Sequence, residues 1–315
     1  MEPDRLVEHV RAGGLLPAGE PVLVLLSGGR DSVCLLDVAI RAGARVRALH
    51  VDYGLRAESG ADAAHCAALC ARLGVELEVV RAGSPGPGNV QAWARDVRYA
   101  EAAARGIPVA AGHTATDQAE TVLHRLASSP GRRALLGMRP REGGLVRPLL
   151  ELTREDTAAY CRARGLEWRD DVTHSGDYDA RARVRGRLVP ALRAIHPAAE
   201  ANVVRTAALL RDEAEVLDAV VDGVLDGADR VELARLAALP PALRRLVARR
   251  LAGDAPDAAN RVDEFLALAP RGGSASLDLA GGLRAVVEDG VLRFTREAAP
   301  PPRGPAVLLS ARPRR

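Results

Sequence analysis

Residues 27–32 read Ser-Gly-Gly-Arg-Asp-Ser, directly behind the short apolar run Val22–Leu26 and ahead of an amphipathic helical pattern. Strand, glycine turn and helix start, in that order, bring backbone N–H groups and the positive end of a helix dipole to one point, which suits a phosphate. Gly28 and Gly29 let the backbone approach an anion with no side chain in the way. Asp31 would repel a bare phosphate, but its carboxylate makes sense if a divalent cation lies between it and a polyphosphate. The turn is neither a Walker A loop, since no Gly-Lys-Ser/Thr follows at the required spacing, nor a G-x-G-x-x-G dinucleotide fingerprint.

A second group of chemically able residues follows a later strand. His113 and Asp117 stand four apart at the start of a helical pattern, so both can face one ligand. That arrangement suits charge stabilisation, metal contact or proton transfer. Glu120, one turn further on, is the lesser candidate, because a glutamate there can serve merely to orient its neighbours. The four cysteines, Cys34, Cys66, Cys70 and Cys161, are too few and too scattered for a disulfide scaffold. Cys66 and Cys70 share a helix face, but with no second cysteine pair they read as packing residues.

The elements that must carry these groups alternate. Strand patterns occur at 22–26, 46–51, 75–80 and 107–111, and helical ones at 31–41, 59–73, 90–105 and 117–127. This alternation implies parallel βαβ units with right-handed crossovers, whose ligands lie beyond the carboxyl ends of the strands. Ser27, Asp52 and His113 all fall at that edge. Leu145–Leu150, containing Pro148, fits a fifth strand at an edge position, and 153–165 reads as a helix opened by a Thr153/Asp156 capping pattern. Segment 83–89 and the charged stretch 168–187 read as exposed loops, the latter with four alternating arginines that cannot share one helix face. A long amphipathic helix spans about 199–225, short helices follow at 231–238, 242–252 and 260–268, and Ser276–Phe294 alternates as a three-stranded meander joined by Gly281-Gly282 and Asp289-Gly290. Residues 297–315 read as a tail. The fold class is therefore α/β with a parallel sheet and a smaller C-terminal α+β domain, divided as 1–210 and 211–315.

At 315 residues and 48% apolar content the chain can build two cores, and with 3% aromatics those cores must be made of Leu, Val and Ala. A net charge of +3 announces no polyanion partner for the protein as a whole, although a local patch still could. No lysine occurs. The N-terminal stretch is mixed and charged, and no apolar run approaches bilayer length, so a cytoplasmic protein with no membrane partner is expected.

The hexamer 27–32 resembles the PP-loop of N-type ATP pyrophosphatases, the adenine nucleotide alpha hydrolase-like fold. Further stretches resemble one branch of that group, the tRNA(Ile)-lysidine synthetases. These are His50-Val51-Asp52-Tyr53-Gly54-Leu55-Arg56, Gln91–Tyr99, Gly112–Thr121, Arg147-Pro148-Leu149-Leu150, Trp168…Asp171 and Arg181-Ala182-Arg183-Val184-Arg185. The resemblance is strong over about 20–200 and only general beyond. It implies adenylation of the wobble cytidine of tRNA(Ile) by ATP with Mg²⁺, followed by displacement of AMP by free L-lysine. It further implies that Ser27, Gly28, Gly29, Arg30 and Ser32 hold the phosphates, Asp31 the metal, and the backbone at Leu49 and His50 the adenine. Asp31, His113, Asp117 and Glu120 would then be catalytic, and Arg56, Arg95, Arg181, Arg183 and Arg185 would contact tRNA, gripped elsewhere by the C-terminal module. Tyr53, Thr116 and Ala182 depart from the family pattern, which bears on tRNA contacts more than on nucleotide chemistry. The alternatives are a PP-loop tRNA thiolase, whose paired C-x-x-C motifs this chain lacks, or a non-catalytic nucleotide- or RNA-binding relative, in which Asp31 or Asp117 would have been lost. The sequence leaves the oligomeric state open, a homodimer included.

Overall fold

The computed structural model describes residues 2–55, 59–129, 131–169, 180–253, 255–268 and 273–296. The chain divides into two compact units, Met1–Arg211 and Asp212–Arg315. In the first, α1 (Pro3–Ala12) precedes the repeating series β1 (Pro21–Leu25), α2 (Arg30–Ala42), β2 (Arg45–Asp52), α3 (Ser59–Leu73), β3 (Glu76–Arg81), α4 (Val90–Ala103), β4 (Val109–Ala110) and α5 (Ala115–Ser128). The helical turn α6 (Arg132–Leu135), the two-residue strands β5 (Arg141–Glu142) and β6 (Leu145–Val146), and α7 (Arg154–Ala163) follow.

The sheet order is β3-β2-β1-β4-β6-β5, with β1 at the centre, parallel to β2 and β4. Val24 and Leu26 pack on one face with α1, α2 and α3, and Leu23 and Leu25 on the other with Leu49, Val51 and Ala102, so β1 is apolar on both sides as a doubly covered parallel strand must be. Cys34, Cys66, Cys70 and Cys161 are buried in the first of these clusters. The expected edge strand at 145–150 is instead the two-residue β6, flanked by β4 on one side and the antiparallel β5 on the other. Pro148 needs no edge, because it falls outside the paired residues.

The stretch read as a charged loop is helical where it is described. Ala180–Arg183 (α8) runs into a π-helical turn at Val184–Leu188 and then α9 (Val189–Ile195). Val184 and Val189 are buried with Leu123, which anchors the segment on α5. The periodicity was hidden because five-residue π turns break the 3.6-residue spacing. Asp171, the end of the Trp168…Asp171 stretch, lies outside the described residues, as do Arg56 and the tail from 297.

α10 (Ala199–Leu225) leads to the second unit, built from β7 (Arg230–Glu232), α11 (Leu233–Ala238), α12 (Pro241–Leu251), α13 (Pro256–Asn260), α14 (Val262–Ala267), β8 (Ser274–Leu279), β9 (Leu283–Glu288) and β10 (Val291–Arg296). The meander gains a fourth strand, since β7 pairs with β10 in the order β7-β10-β9-β8. Residues 231–238, read as one helix, therefore open as a strand. Val231 is buried in this unit's core beside Phe265 and Leu292, a long-range pairing that local periodicity does not report.

Candidate active site

The PP-loop is shaped by its two serines. Ser32 Oγ donates to the Gly29 carbonyl at 2.8 Å and accepts from the Ser27 N–H at 3.1 Å, with the Ser27 hydroxyl also 3.1 Å away. The turn thereby closes on itself and leaves the N-terminus of α2 with no side-chain cap, as an anion site requires. Gly28 has φ +83°, and a Cβ there would meet Cys66 Sγ at 3.3 Å. Gly112, arriving from β4, is packed so closely that a Cβ would lie 2.9 Å from the backbone C and O of Asp31. That close approach joins the two predicted catalytic stretches at the carboxyl edge of the sheet.

Asp31 accepts hydrogen bonds from Thr157 Oγ1 at 2.5 Å and Arg30 Nε at 3.1 Å. Asp117 is the N3 residue of a capping box on α5. Its Oδ2 accepts from the Thr114 N–H and hydroxyl, both at 2.8 Å, and its Oδ1 accepts from Arg154 Nη2 at 2.8 Å. Arg154 also reaches Glu120 (Nη1–Oε1 3.4 Å) and faces Asp31 (Nε–Oδ2 3.8 Å). One guanidinium thus joins Asp31, Asp117 and Glu120. Burial alone would raise the Asp117 carboxyl, but Arg154, the Thr114 donors and His113 outweigh it and hold it below the ordinary carboxylate value. Burial pushes His113 down to about 4, against the pull of Asp117 and with the help of Arg147, Arg98 and Arg95, so the imidazole is neutral at pH 7. Its Nδ1 is buried without a hydrogen-bond partner.

Glu120 is gripped from its other side by Arg185, with Nε at 2.7 Å and Nη2 at 2.8 Å. Arg181 and Arg183 are exposed on α8. Arg95 is exposed on α4, its guanidinium 5.2 Å from the Tyr99 ring. Leu49 and His50 lie deep in the sheet. The Leu49 carbonyl accepts from the Leu26 N–H at 2.9 Å, and the His50 ring Nδ1 is 2.8 Å from the Leu26 carbonyl. Asp52, the last residue of β2, accepts from the Gly54 N–H at 2.9 Å. The fold therefore gathers Ser27–Ser32, His113, Asp117 and Glu120 at one edge, with Leu49 and His50 beneath it.

A family profile described as the PP-loop domain matches residues 7–192. A tRNA(Ile)-lysidine synthase from Salinispora arenicola is 41% identical over 307 residues, 87% of this chain and 90% of that protein. The chain belongs to the tRNA(Ile)-lysidine synthase family. A Symbiobacterium thermophilum member is 40% identical over 93% of this chain and 69% of its own length. One from Solibacter usitatus is 41% identical over 75% of this chain and 56% of its own length, so the chain spans little more than half of that relative. Among solved structures, a U34-tRNA thiolase from Methanococcus maripaludis shares the fold at TM-score 0.55 and 16% identity, over 66% of this chain and 78% of that one. Among the described residues of this family member, no helix is long and apolar enough to cross a membrane.

The sequence reading missed three participants. Arg154 and Thr157 come from α7, and Arg169, whose N–H donates to the Gly28 carbonyl at 3.0 Å, comes from the segment behind it. One signal for Arg154 was present. It is the first residue of α7, where a cation opposes the helix dipole, and such a placement asks for a nearby anion.

Proposed function

We propose that this chain is a tRNA(Ile)-lysidine synthetase, activating the wobble cytidine of tRNA(Ile) with ATP and joining it to free L-lysine. The carrying observation is the open PP-loop helix terminus set beside Asp31, Asp117 and Glu120, in a chain of this family. The PP-loop match implies use of ATP. Ser27, Gly28, Gly29, Arg30 and Ser32 would hold the phosphates at the start of α2, with the adenine against the backbone of β2 at Leu49 and His50.

Mg²⁺ fits as a metal carried in with the nucleotide. Among the described residues no group of three or more His, Cys, Asp or Glu side chains is arranged to hold a metal, whereas Mg²⁺ is commonly bound by one or two carboxylates plus phosphate oxygens. Asp31 supplies such a carboxylate. When bound there, Mg²⁺ would neutralise phosphate charge and make the α-phosphorus more susceptible to attack.

In the first step the cytidine O2 attacks the α-phosphorus and pyrophosphate leaves. In the second, the lysine side-chain amine attacks C2 and AMP leaves. The ionised Asp117 would hold the incoming ammonium and, with neutral His113 beside it, take up the proton released as the C–N bond forms. Exposed Arg95, Arg181 and Arg183 would meet tRNA phosphates, while Arg185, held on Glu120, would shape the site wall. Arg56, also assigned to tRNA, lies outside the described residues. The second unit would grip the tRNA away from the anticodon.

The test uses the full chain with ATP, Mg²⁺, radiolabelled lysine and tRNA(Ile) carrying a CAU anticodon, scored for AMP release and incorporated lysine. Asp31→Ala should abolish tRNA-dependent ATP–pyrophosphate exchange with the fold intact, since Thr157 Oγ1 keeps the Arg154 carbonyl at 3.0 Å as an acceptor. Lysine-independent product, or exchange surviving in Asp31→Ala, would overturn the assignment.

A further inference from the structure

The arginines around the site fall into two groups. Arg154 and Arg185 are matched by carboxylates, Arg154 by Asp117 at 2.8 Å and Arg185 by Glu120 at 2.7 Å. Arg95 and Arg98 on α4, Arg125 on α5 and Arg181 on α8 make no ion pair among the described residues. The Arg95 and Arg98 guanidiniums lie 5.2 and 5.3 Å from the same Tyr99 ring, a contact that spends charge on an aromatic face and leaves N–H donors over. Arg125 is half-buried, and its Nη1 donates to the Gly137 carbonyl at 2.9 Å. The loop that it grips is rigid, because Gln118 exchanges two hydrogen bonds with Met138 and the buried Arg147 donates to the Arg139 carbonyl at 2.6 Å. α8 reaches α5 here too, since Val184 packs on Leu123 and Arg185 holds Glu120, with Arg181 one turn before. Burial and then Arg181 pull the Arg125 guanidinium below its ordinary value, with Arg95 and Arg147 adding to this, while Glu142, already paired with Arg147, opposes. Arg147, Arg98 and Arg95 also push His113 down, so the positive group borders that imidazole.

We propose that Arg95, Arg125 and Arg181 form a seat for one RNA phosphodiester, the backbone phosphate on one side of the wobble cytidine. The inference rests on the reading of the chain as a tRNA-modifying enzyme and names a contact of that same site. Cations gathered without counter-ions repel one another, and partial burial strengthens the repulsion. A phosphodiester relieves it, because its two free oxygens carry one negative charge and accept the charge-assisted hydrogen bonds that guanidinium donors offer. The phosphates of ATP have another place, the uncapped start of α2, and the three arginines come from α4, α5 and α8. A cytidine must leave its stack for its C2 to reach the site, and a phosphate fixed beside His113 sets how far the base enters. Arg125 is the centre of the seat, since its guanidinium is already held in place by the Gly137 carbonyl.

The test removes one phosphate charge at a time. Full-length tRNA(Ile) is assembled with the phosphate before, or the phosphate after, the wobble cytidine replaced by an uncharged methylphosphonate. The affinity of the full chain for each RNA and for the unmodified one is measured by fluorescence anisotropy at one fixed salt concentration. Wild type, Arg125→Gln, Arg181→Gln and the control Arg72→Gln, at an exposed position in the last turn of α3, are compared. Wild type and Arg72→Gln should lose at least about fivefold for one of the two methylphosphonates and little for the other. Arg125→Gln and Arg181→Gln should show a similar loss with unmodified RNA and less than about twofold further loss with that methylphosphonate, because the contact is already gone. Equal small losses at both positions, adding in full to those of the variants, would mean diffuse attraction and overturn the seat. Loss of ATP affinity rather than RNA affinity in Arg125→Gln would give the cluster to the nucleotide and overturn it too. Should Arg125→Gln fail to fold, the wild type and Arg181→Gln, altered only at an exposed residue, decide by the same outcomes. Failure of the functional reading appears separately, as a wild type that binds the RNA with this phosphate preference but incorporates no lysine. A wild type that binds no tRNA overturns the seat as well.

Discussion

Arg185 holds Glu120 through both carboxylate oxygens, Nε at 2.7 Å and Nη2 at 2.8 Å, across 65 residues of sequence. The pair ties the π-helical turn to the middle of α5, and Glu120 is nearly buried there. Arg185→Gln should cost about 2 kcal/mol by urea denaturation, less than a fully buried pair because Arg154 still flanks Glu120. Arg185→Lys should recover little of it, since an ammonium cannot reproduce the two parallel hydrogen bonds. An unchanged denaturation midpoint in Arg185→Gln would show that the pair contributes no stability.

Asp117 has two duties, capping α5 and facing the reacting atoms. Asp117→Asn keeps a carbonyl oxygen for the Thr114 donors but loses its charge toward Arg154. About 1 kcal/mol of stability should be lost, with at least one chemical step slowed by about 10²-fold. Pyrophosphate exchange and lysine transfer, assayed separately, identify the step. Near-normal turnover would leave Asp117 a helix cap and nothing more.

Gly112 is fixed by space, since a Cβ would sit 2.9 Å from Asp31 backbone atoms. Gly112→Ala must push the His113 loop off the PP-loop, at a cost of about 1–3 kcal/mol for overpacking. ATP affinity measured by calorimetry should fall along with stability. Gly144→Ala, with nothing within 4 Å of the added carbon, serves as the neutral control.

His113 gives the protein a pH dependence with a defined sign. Its folded pKa of about 4 lies below the ordinary 6.5 because the site is buried and lined by arginines. Between those values the unfolded chain binds a proton that the native chain does not, so stability falls as pH drops through this window. His113→Gln should flatten that dependence between pH 6.5 and about 4 in chemical denaturation. Removing the Asp117 charge takes away its upward pull on His113, so Asp117→Asn should extend the window to lower pH and leave its upper part near pH 6.5 unchanged. A slope equal to wild type in His113→Gln would contradict the buried neutral imidazole.

Phosphate contacts impose a steep salt dependence on tRNA binding, because each neutralised phosphate releases counterions. Arg181→Gln combined with Arg183→Gln should reduce the slope by about two, one for each phosphate no longer neutralised. Deleting residues 212–315 should lower tRNA affinity and flatten the slope further while ATP binding survives. The cut falls inside α10, so the solubility of the truncated protein is measured first. If that protein modifies tRNA as well as the whole chain does, the second unit is not a tRNA-binding element.

The sequence by itself determined the alternation of the first unit, the span of α10, and which side chains stand at the carboxyl edge of the sheet. Those features are local. Apolar period, a Ser-Gly-Gly turn and capping residues act over a few neighbouring positions, and the chain records them directly. It could not show that β7 joins β10, that residues 180–195 are helical with a π turn, or that Arg154 stands among three carboxylates. Thr157 meets Asp31 across 126 positions, and Arg154 meets Asp117 across 37. Such pairings are decided by how α7 packs beside α2 and by the close passage of Gly112 over Asp31. No local pattern encodes them, because the energy that selects them comes from burial and charge compensation in the finished fold.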